Sequence, residues 1–278
     1  MEENGERQDN VLRAFATILK DNWEWRKQIG RLALFELVKR SRGAVLSWFW
    51  LFAKPLIFIC VFWFALDIGL RAGKEMDPPF FLWLIAGLIP WFYMQDMLGT
   101  GSDILHRFPY LVNKIKFPLS GISTIYCLST LIVHLGLMVV LFIIYFAYGM
   151  SLDLYLVQIP LIIFVMCVFF NMFSILTSQI SAVSKDFANL LKAANTPIFW
   201  LSGIIYNVEA LDIVWVKNVL MFNPVTFFAT AFRSALYEKT WVWENTVALE
   251  AFGLVFFVTL IVMLLVYKRF HEEVSDAL

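Results

Sequence analysis

The feature that most constrains this chain is the division of its apolar residues into six blocks, each long enough to cross a lipid bilayer. Hydrophobic residues make up 60% of the 278 residues and charged residues only 16%, and the charges collect between the blocks. A crossing needs about 20 apolar residues because the hydrocarbon core is about 30 Å thick. A soluble domain cannot bury so much apolar surface. The pattern therefore predicts an all-α, polytopic membrane protein.

The apolar blocks define six predicted spans. They cover residues 48–70, 80–98, 121–148, 154–180, 188–206 and 247–267. Before the first span, residues 23–43 interleave apolar and basic side chains at helical spacing, which is typical of an amphipathic helix in the membrane interface. A soluble helix packed on a partner is the alternative. Lys54 lies close enough to the boundary marked by Trp48 and Trp50 to extend its amine to the lipid headgroups.

Residues 207–246 do not fit a single span. Two apolar stretches, 213–222 and 225–232, are each too short to cross and are separated by Asn223-Pro224. Proline ends a helix at the preceding residue, so we expect two short helices in a re-entrant hairpin, with Asn223 and Pro224 at a gate. Irregular backbone is tolerated at membrane depth when it is buried in protein or lines a water-filled path. An amphipathic pair lying flat on the outer surface is the alternative.

The distribution of positive charge predicts the orientation of the chain. The N-terminal segment, two loops and the C-terminal tail together hold sixteen Lys and Arg residues, whereas the alternate connections hold five. Cytoplasmic segments carry the excess of positive charge, so both termini are predicted to be cytoplasmic, with residues 207–246 outside. The chain then divides into a tail and interfacial helix (1–44), a six-span domain (45–267) and a C-terminal tail (268–278).

The sequence carries no signature of an enzyme or a metal centre. It has no HExxH, no GxSxG and no complete phosphate-binding loop. If transport by this chain uses ATP, the ATPase is therefore another chain, and we expect no cofactor, metal or nucleic-acid partner on this one. Cys60, Cys127 and Cys167 lie inside apolar blocks and are interpreted as small hydrophobic residues. Acidic residues near mid-span, which an ion-coupled transporter usually needs, are also missing.

Aromatic residues are the remaining signal, at 17% of the chain. Their rings can stack on the C–H faces of sugars while leaving the hydroxyl groups hydrated, and the first and fifth predicted spans are rich in them. The predicted substrate path therefore consists of aromatic residues from these two spans: Trp48, Trp50, Phe58, Phe62, Trp63, Phe199 and Trp200. Packing and anchoring at the membrane interface is the alternative.

Six stretches of the sequence carry a family resemblance. They are FELVKRSRGAVLSWFWLFAKPL (35–56), LIAGLIPWFY (84–93), LVNKIKFPLS (111–120), KDFANLL (185–191), LSGIIY (201–206) and LMFNPVTFFATAFRSALY (220–237). In this order they resemble the permease subunits of type-2 ABC exporters for polysaccharides and teichoic acids. FALDIGLRAGKE (64–75) and AGLIPWF favour the teichoic acid branch slightly over the O-antigen and capsule branches. Lys54 departs from the family pattern, in which Asn typically precedes the proline.

The resemblance implies a six-span half-transporter that forms a homodimer in the plasma membrane. It also implies two copies of a separate ABC ATPase, which would bind a cytoplasmic loop through Arg107, Phe108, Pro109, Tyr110, Leu111 and Lys114. The substrate would be an undecaprenyl-linked glycan or polyol-phosphate polymer. Two alternative functions are a small-molecule or drug exporter on the same scaffold and an integral membrane glycosyl- or acyltransferase.

Overall fold

The computed structural model describes residues 2–41, 48–71, 79–113, 115 and 117–277, with side chains described within 13–40, 48–71, 79–113, 115 and 117–270. In chain order the helices are α1 (Glu2–Glu24), α2 (Arg26–Ser41), α3 (Phe49–Trp63), α4 (Phe80–Gly99), α5 (Pro109–Asn113), α6 (Leu119–Ala147), α7 (Ile159–Val183), α8 (Lys185–Leu201), α9 (Val214–Met221), α10 (Pro224–Arg233) and α11 (Thr246–Ala277). Short π- or 3-10-helical segments adjoin them at Phe64–Gly69, Gly101–Arg107, Leu154–Gln158, Ser234–Glu238 and Val242–Glu244. No strand occurs in these ranges, so the all-α prediction is confirmed.

Five helical segments in the described part of the chain are long and apolar enough to cross a membrane. They are Phe49–Gly69, Phe80–Gly99, Leu119–Ala147, Leu154–Val183 and Thr246–Phe270. They correspond to the first, second, third, fourth and sixth predicted spans, which confirms a polytopic membrane protein. The last helix continues to Ala277, so the predicted C-terminal tail prolongs the sixth span instead of leaving it.

The fifth predicted span is shorter than the sequence suggested. α8 has 17 residues and ends at Leu201, and not at Tyr206, because Gly203 takes a left-handed conformation with φ of 64°. A left-handed residue just beyond the last turn is a common way to end a helix. A helix of this length rises only about 25 Å, at the lower limit for a crossing.

The two short helices predicted around Asn223-Pro224 are present as α9 and α10. Their axes meet at 94°, so they form a bent pair and not an antiparallel hairpin. Together with the segment that follows α10, this bent pair is a sixth stretch long enough to cross. The right-angled geometry also suits a re-entrant element, because the chain turns where proline interrupts the helical hydrogen bonds.

α4 lies at the centre of the helix bundle, and α3 lies at its edge. About 78% of the apolar window of α4 is buried, compared with 11% for the first span. α4 contacts α3, α6, α7, α8 and α10. Interior helices of this type are apolar all round, whereas α3 leaves most of its surface for lipid or for another chain.

α2 packs along α6 and has two apolar sides. Ile29, Ala33 and Leu37 are buried on the side facing the bundle, whereas Leu34 and Phe35 are exposed. The first three recur at four-residue steps and so lie on one face of the helix. An outward apolar face beside basic residues suits a position in the membrane interface.

Candidate functional site

Aromatic residues follow one face of α3 at four-residue steps. Trp50, Phe58 and Phe62 occupy three of these positions, and Lys54 occupies the position between Trp50 and Phe58. Residues four apart lie above one another on a helix, about 6 Å apart along its axis. The rings of Phe58 and Phe62 stack with their centroids 4.5 Å apart. Trp50, Lys54, Phe58 and Phe62 are called the α3 stripe below.

One end of the α3 stripe meets α8. The ring centroid of Phe62 lies 5.3 Å from that of Phe199 and 6.4 Å from that of Trp200. Phe58 lies 5.9 Å from Phe199 in an edge-to-face arrangement, a geometry that is favourable for aromatic pairs. Four of the predicted path residues, from the first and fifth predicted spans, therefore form one cluster.

Two other predicted path residues, Trp48 and Trp63, lie off the α3 stripe. The indole Nε1 of Trp63 donates a hydrogen bond to Asp67 at 2.9 Å, and its ring packs edge-on against Phe81 at 5.6 Å. Trp48 immediately precedes α3 and is half-exposed. These surroundings are typical of anchoring and packing, which was the alternative interpretation of the aromatic residues.

A cavity of about 620 Å³ lies at the other end of the α3 stripe. Trp50, Lys54 and Phe58 form one side of it. The remaining wall comes from α2, α4, α6 and α8 and includes Arg40, Asp96, Thr130, His134, Lys192 and Asn195. A concave site with aromatic rings and a few polar groups is typical of ligand binding. Sequence reasoning missed this cavity because its residues come from five separate helices.

Arg40 is fixed at the cavity wall by several contacts. Its Nη1 lies 3.5 Å from Asp96 Oδ2, its Nε lies 3.7 Å from Glu36 Oε1, and its Nη2 donates to Thr130 Oγ1 at 3.1 Å. The guanidinium carbon also lies 4.1 Å from the ring centroid of Tyr126, a favourable cation–π arrangement. These contacts join α2 to α4 and α6 and balance the charge of the guanidinium.

Lys192 makes an ion pair with the segment that follows α4. Its Nζ lies 2.5 Å from Asp103 Oδ2, and His106 Nδ1 lies 2.6 Å from the other oxygen of that carboxylate. Partial burial acts to raise the pKa of the Asp103 carboxyl, but the hydrogen bonds from Lys192 and His106 outweigh it and hold the pKa below its usual value. The carboxylate therefore links α8 to the 3-10 segment at neutral pH.

The predicted ATPase-contact residues fall into two groups. The exposed members are Arg107, Pro109 and Tyr110, and Tyr110 is 60% exposed. Leu111 is buried against the chain's own helices and Phe108 is half-buried, while Lys114 lies outside the described residues. The exposed apolar surface is therefore smaller than the sequence predicted, because Leu111 and its neighbour Val112 point into the bundle.

The predicted gate residues connect the bent pair to the end of α8. Asn223 Oδ1 accepts a hydrogen bond from the Val225 amide at 3.0 Å, and its Nδ2 donates to Ser202 Oγ at 2.7 Å. Pro224 takes the first helical position of α10, where no amide hydrogen is needed. Asn223 thus caps α10 and also holds it beside the helix that carries Trp200.

Arg233 is a buried charge that sequence reasoning assigned to an external segment. Its side chain donates to the carbonyl oxygens of Trp83 at 3.3 Å, Gly203 at 2.6 Å and Ile204 at 2.5 Å. Within the ranges that the structure describes, no carboxylate forms an ion pair with it. A Cβ added at Gly87 would lie 2.6 Å from Arg233 Nη2, so the glycine leaves room for the guanidinium. The sequence signal for the burial of Arg233 was its position directly after the apolar stretch 225–232.

The order of these elements can be compared with known proteins. The family model for ABC-2 type transporters matches residues 27–237, from α2 to the end of the bent pair. The chain belongs to the ABC-2 type transporter family. This membership confirms the resemblance to type-2 ABC exporter permeases.

Curated relatives of this ABC-2 transporter are named as O-antigen export system permease proteins. The O-antigen export system permease protein RfbA of Myxococcus xanthus is 21% identical over 225 residues, which cover 80% of this chain and 84% of that protein. Two proteins of the same name from Klebsiella pneumoniae are 24% identical, and the alignments cover 79% and 87% of this chain and 84% and 92% of theirs. The range matched by the family model includes all of the residues named above for the cavity and the aromatic cluster.

Proposed function

We propose that this chain is the membrane half of an ABC exporter that moves a lipid-linked polysaccharide from the cytoplasmic to the outer side of the plasma membrane. The observation that carries the proposal is the continuity of the α3 stripe. It begins at an open cavity with polar walls and ends in the aromatic cluster of Phe58, Phe62, Phe199 and Trp200. Within this surface Trp50, Phe58 and Trp200 are exposed and could offer ring surface to sugars along the direction of the span, whereas Phe199 is buried. The export permeases among the relatives support the same substrate class.

The proposed assembly is a homodimer with two copies of a separate ABC ATPase. α3 supports this assembly, because most of its surface is not covered by its own chain. ATP binding would close the ATPase dimer and push on the exposed side of the segment around Tyr110 and on α2. The two permeases would then shift as rigid bodies, the path would open at their interface beside α3 and α8, and the bent pair would gate its outer end.

The orientation predicted from the positive charges assigns each part of the chain to one side of the membrane. The N-terminal helices and the C-terminal end of α11 would lie on the cytoplasmic side, and residues 207–246 would lie outside.

The polymer class is the finer part of the proposal. The names of the relatives favour an O-antigen-like glycan, whereas FALDIGLRAGKE (64–75) resembles the teichoic acid branch. The two differ chemically, because a teichoic acid carries a phosphodiester in each repeat unit.

Deletion of the gene in its own host tests the function. We expect the surface polymer to disappear and the lipid-linked polymer to accumulate on the cytoplasmic side, as measured by gel analysis of surface material and of inverted membrane vesicles. The phosphorus-to-sugar ratio of the accumulated polymer would identify its class. Unchanged surface polymer together with impaired efflux of a small molecule would instead support a drug exporter.

The ATPase contact has its own test. Tyr110→Asp places a charge on the exposed side of the loop, and we expect normal folding of the permease but loss of ATPase stimulation. Leu152→Asp is the control, because Leu152 is also strongly exposed. It follows α6, whereas the loop with Tyr110 precedes α6, so the two positions lie at opposite ends of this span. Normal assembly and normal ATPase stimulation in the Tyr110 variant would refute the contact.

A further inference from the structure

Two of the three cysteines meet inside the helix bundle. Cys127 lies on α6 and Cys167 lies on α7, 40 residues further along the chain, and their sulfur atoms are 3.2 Å apart. The Tyr93 hydroxyl, on α4, also lies 3.2 Å from Cys127 Sγ. Each cysteine was interpreted from the sequence as a small hydrophobic residue, because nothing in the spacing pairs them. The fold therefore creates a pair of neighbouring thiols that the sequence does not show.

A hydrogen bond between α6 and α7 helps to fix the register that brings the two thiols together. Asn171 Nδ2 donates to Thr124 Oγ1 at 3.1 Å. Thr124 precedes Cys127 by three positions and Asn171 follows Cys167 by four, so each of these pairs shares one face of its helix. Cys127 Sγ also lies 3.7 Å from the Cys167 carbonyl oxygen. The two helices are therefore in close contact at the cysteines.

The two sulfur atoms need only a small shift to form a disulfide bond. The sulfur–sulfur distance in a disulfide is about 2.0 Å, so the atoms must approach by about 1.2 Å. Rotation of either side chain, with a small displacement of its helix, covers this distance. Because both thiols are held in contact, the bond would form within one molecule, and such reactions are strongly favoured over reactions between free partners.

The route from the surface to this pair is apolar. Cys127 is 1% exposed, whereas Cys167 is partly exposed. Phe164, one turn before Cys167 on α7, is 65% exposed, and an outward apolar side chain of a membrane span faces lipid or another span. An oxidant of this pair must therefore be soluble in the hydrocarbon region. Lipid hydroperoxides belong to this class.

We propose that Cys127 and Cys167 form an oxidation site, at which a lipid hydroperoxide converts the two thiols into a disulfide bond between α6 and α7. Cys167, the more exposed thiol, attacks the terminal oxygen of the peroxide. The oxygen–oxygen bond breaks, the thiol proton passes to the departing alkoxide, and the products are a sulfenic acid and a lipid alcohol. Cys127 Sγ then attacks the sulfenic sulfur, and the hydroxyl group leaves as water with the Cys127 proton. The two sulfur atoms lose two electrons in total, and the peroxide gains two.

The alternative is that the two thiols pack as small apolar groups and do not react with each other. In that case an oxidant would modify each cysteine independently, according to its exposure, and would form no link between α6 and α7. A count of free thiols together with a map of the linked peptides separates the two interpretations.

The experiment treats the full-length permease in nanodiscs with cumene hydroperoxide, an apolar peroxide. Free thiols are counted with a maleimide after denaturation, and unreduced peptides are mapped by mass spectrometry. We expect the count to fall from three to one, with Cys127 and Cys167 in one linked peptide. The remaining thiol should be Cys60, which is exposed on α3. Dithiothreitol should restore all three thiols, because a disulfide is reducible whereas a sulfinic acid is not.

Single variants assign the link to this pair. Cys127→Ser and Cys167→Ser should form no disulfide within the chain. Cys60→Ser is the matched control, and its count should fall from two to zero. Phenylarsine oxide provides a test of proximity without oxidation, because its arsenic binds two neighbouring thiols and releases water. One equivalent should prevent the later reaction with the hydroperoxide.

The peptide map of the unmodified protein decides the outcome even if a variant fails to fold. Three free thiols after treatment, loss of thiols that dithiothreitol does not restore, or links formed only by Cys60 between two chains would each overturn the proposal. Treatment of the permease after denaturation in sodium dodecyl sulfate is the control for the fold. Equal formation of the Cys127–Cys167 link there would also count against the site, since the folded contact would then not be its cause.

Discussion

The guanidinium carbon of Arg233 lies 3.4 Å from the ring centroid of Trp83, inside the helix bundle. The same side chain donates hydrogen bonds to three backbone carbonyl oxygens from two other parts of the chain. Arginine suits such a site because its planar group is weakly hydrated and can stack and donate at once. Arg233 therefore holds α10, α4 and the turn after α8 together.

Removing this side chain should destabilise the permease. For Arg233→Met we expect a decrease in the free energy of unfolding of about 3 kcal/mol, because the carbonyl oxygens lose their donors in a buried position. Thermal unfolding in detergent, followed by tryptophan fluorescence, measures the effect. Arg31→Met is the matched control, because Arg31 is exposed on α2, and its change should stay within about 0.5 kcal/mol. Equal effects of the two variants would contradict the structural role.

A methyl group at Gly87 should also be unfavourable. Its Cβ would lie 2.6 Å from Arg233 Nη2 and 3.0 Å from the Ile204 carbonyl oxygen, so we expect Gly87→Ala to cost about 1–3 kcal/mol through overpacking. Gly253→Ala meets nothing within 4 Å and should be neutral or stabilising, since alanine favours a helix by about 1 kcal/mol. In an Arg233→Met background the cost of Gly87→Ala should shrink. An unchanged cost there would exclude the contact as its cause.

The Asp103–Lys192 pair should make stability depend on acidity. The folded-state pKa of Asp103 is lowered, so its stabilising effect is present above the unfolded pKa of about 3.9 and is lost as the pH falls through the folded value. The difference in melting temperature between the unmodified protein and Asp103→Asn should therefore shrink below about pH 4. Asp212→Asn, at an exposed position outside the pair, serves as the control. A difference that is constant from neutral to acid pH would refute the prediction.

Aromatic residues of the α3 stripe should matter more for export than other aromatic residues of the same span, Phe49–Gly69. One ring contact contributes only about 0.5–1.5 kcal/mol, so we expect Phe58→Leu or Phe62→Leu to slow export by about threefold, and a combination with Phe199→Leu to slow it severely. Phe64→Leu is the matched control, because Phe64 is 61% exposed and lies outside the cavity and the cluster. Export is measured relative to membrane abundance. If every loss follows abundance, the stripe is structural.

Labelling of single cysteines tests the orientation and whether α8 crosses. In a background with Cys60, Cys127 and Cys167 replaced by Ser, Asp186→Cys and Asp212→Cys place thiols at exposed positions, the first in the first turn of α8 and the second beyond its end. We expect an impermeant reagent to label only the second from outside, because the positive charges lie on the side of the first. Labelling of both would show that α8 dips without crossing. Labelling of only the first would reverse the orientation.

The sequence predicted most of the spans because a bilayer sets a minimum apolar length. The first, second, third and fourth blocks became helices close to their predicted bounds, and the sixth became a helix that continues past its predicted end to Ala277. The predicted end of α8 was wrong because the conformation of Gly203 depends on the turn that follows it. Arg233 was counted among the five charges of the alternate connections, and its burial reduces that number to four. Its acceptors lie 150, 30 and 29 residues away, a distance that no local pattern spans.

The candidate site was predictable only in part. Aromatic content placed the path on the first and fifth predicted spans, and Phe58, Phe62, Phe199 and Trp200 do meet. Which aromatic residues share one face could be derived from four-residue spacing, but the partners of Trp63 could not. The cavity depends on contacts among five helices, and a sequence does not reveal them without a fold.

The unequal enclosure of α3 and α4 determines where this protein can deform. A helix surrounded on all sides cannot slide without disturbing the close-packed atoms of every neighbour, so we expect α4 to stay fixed within the bundle. α3 has little of its surface packed against its own chain, so it can tilt or translate at a smaller cost in packing energy. We therefore expect a movement that starts on the cytoplasmic side to displace α3 first, together with the face that carries Trp50, Lys54, Phe58 and Phe62.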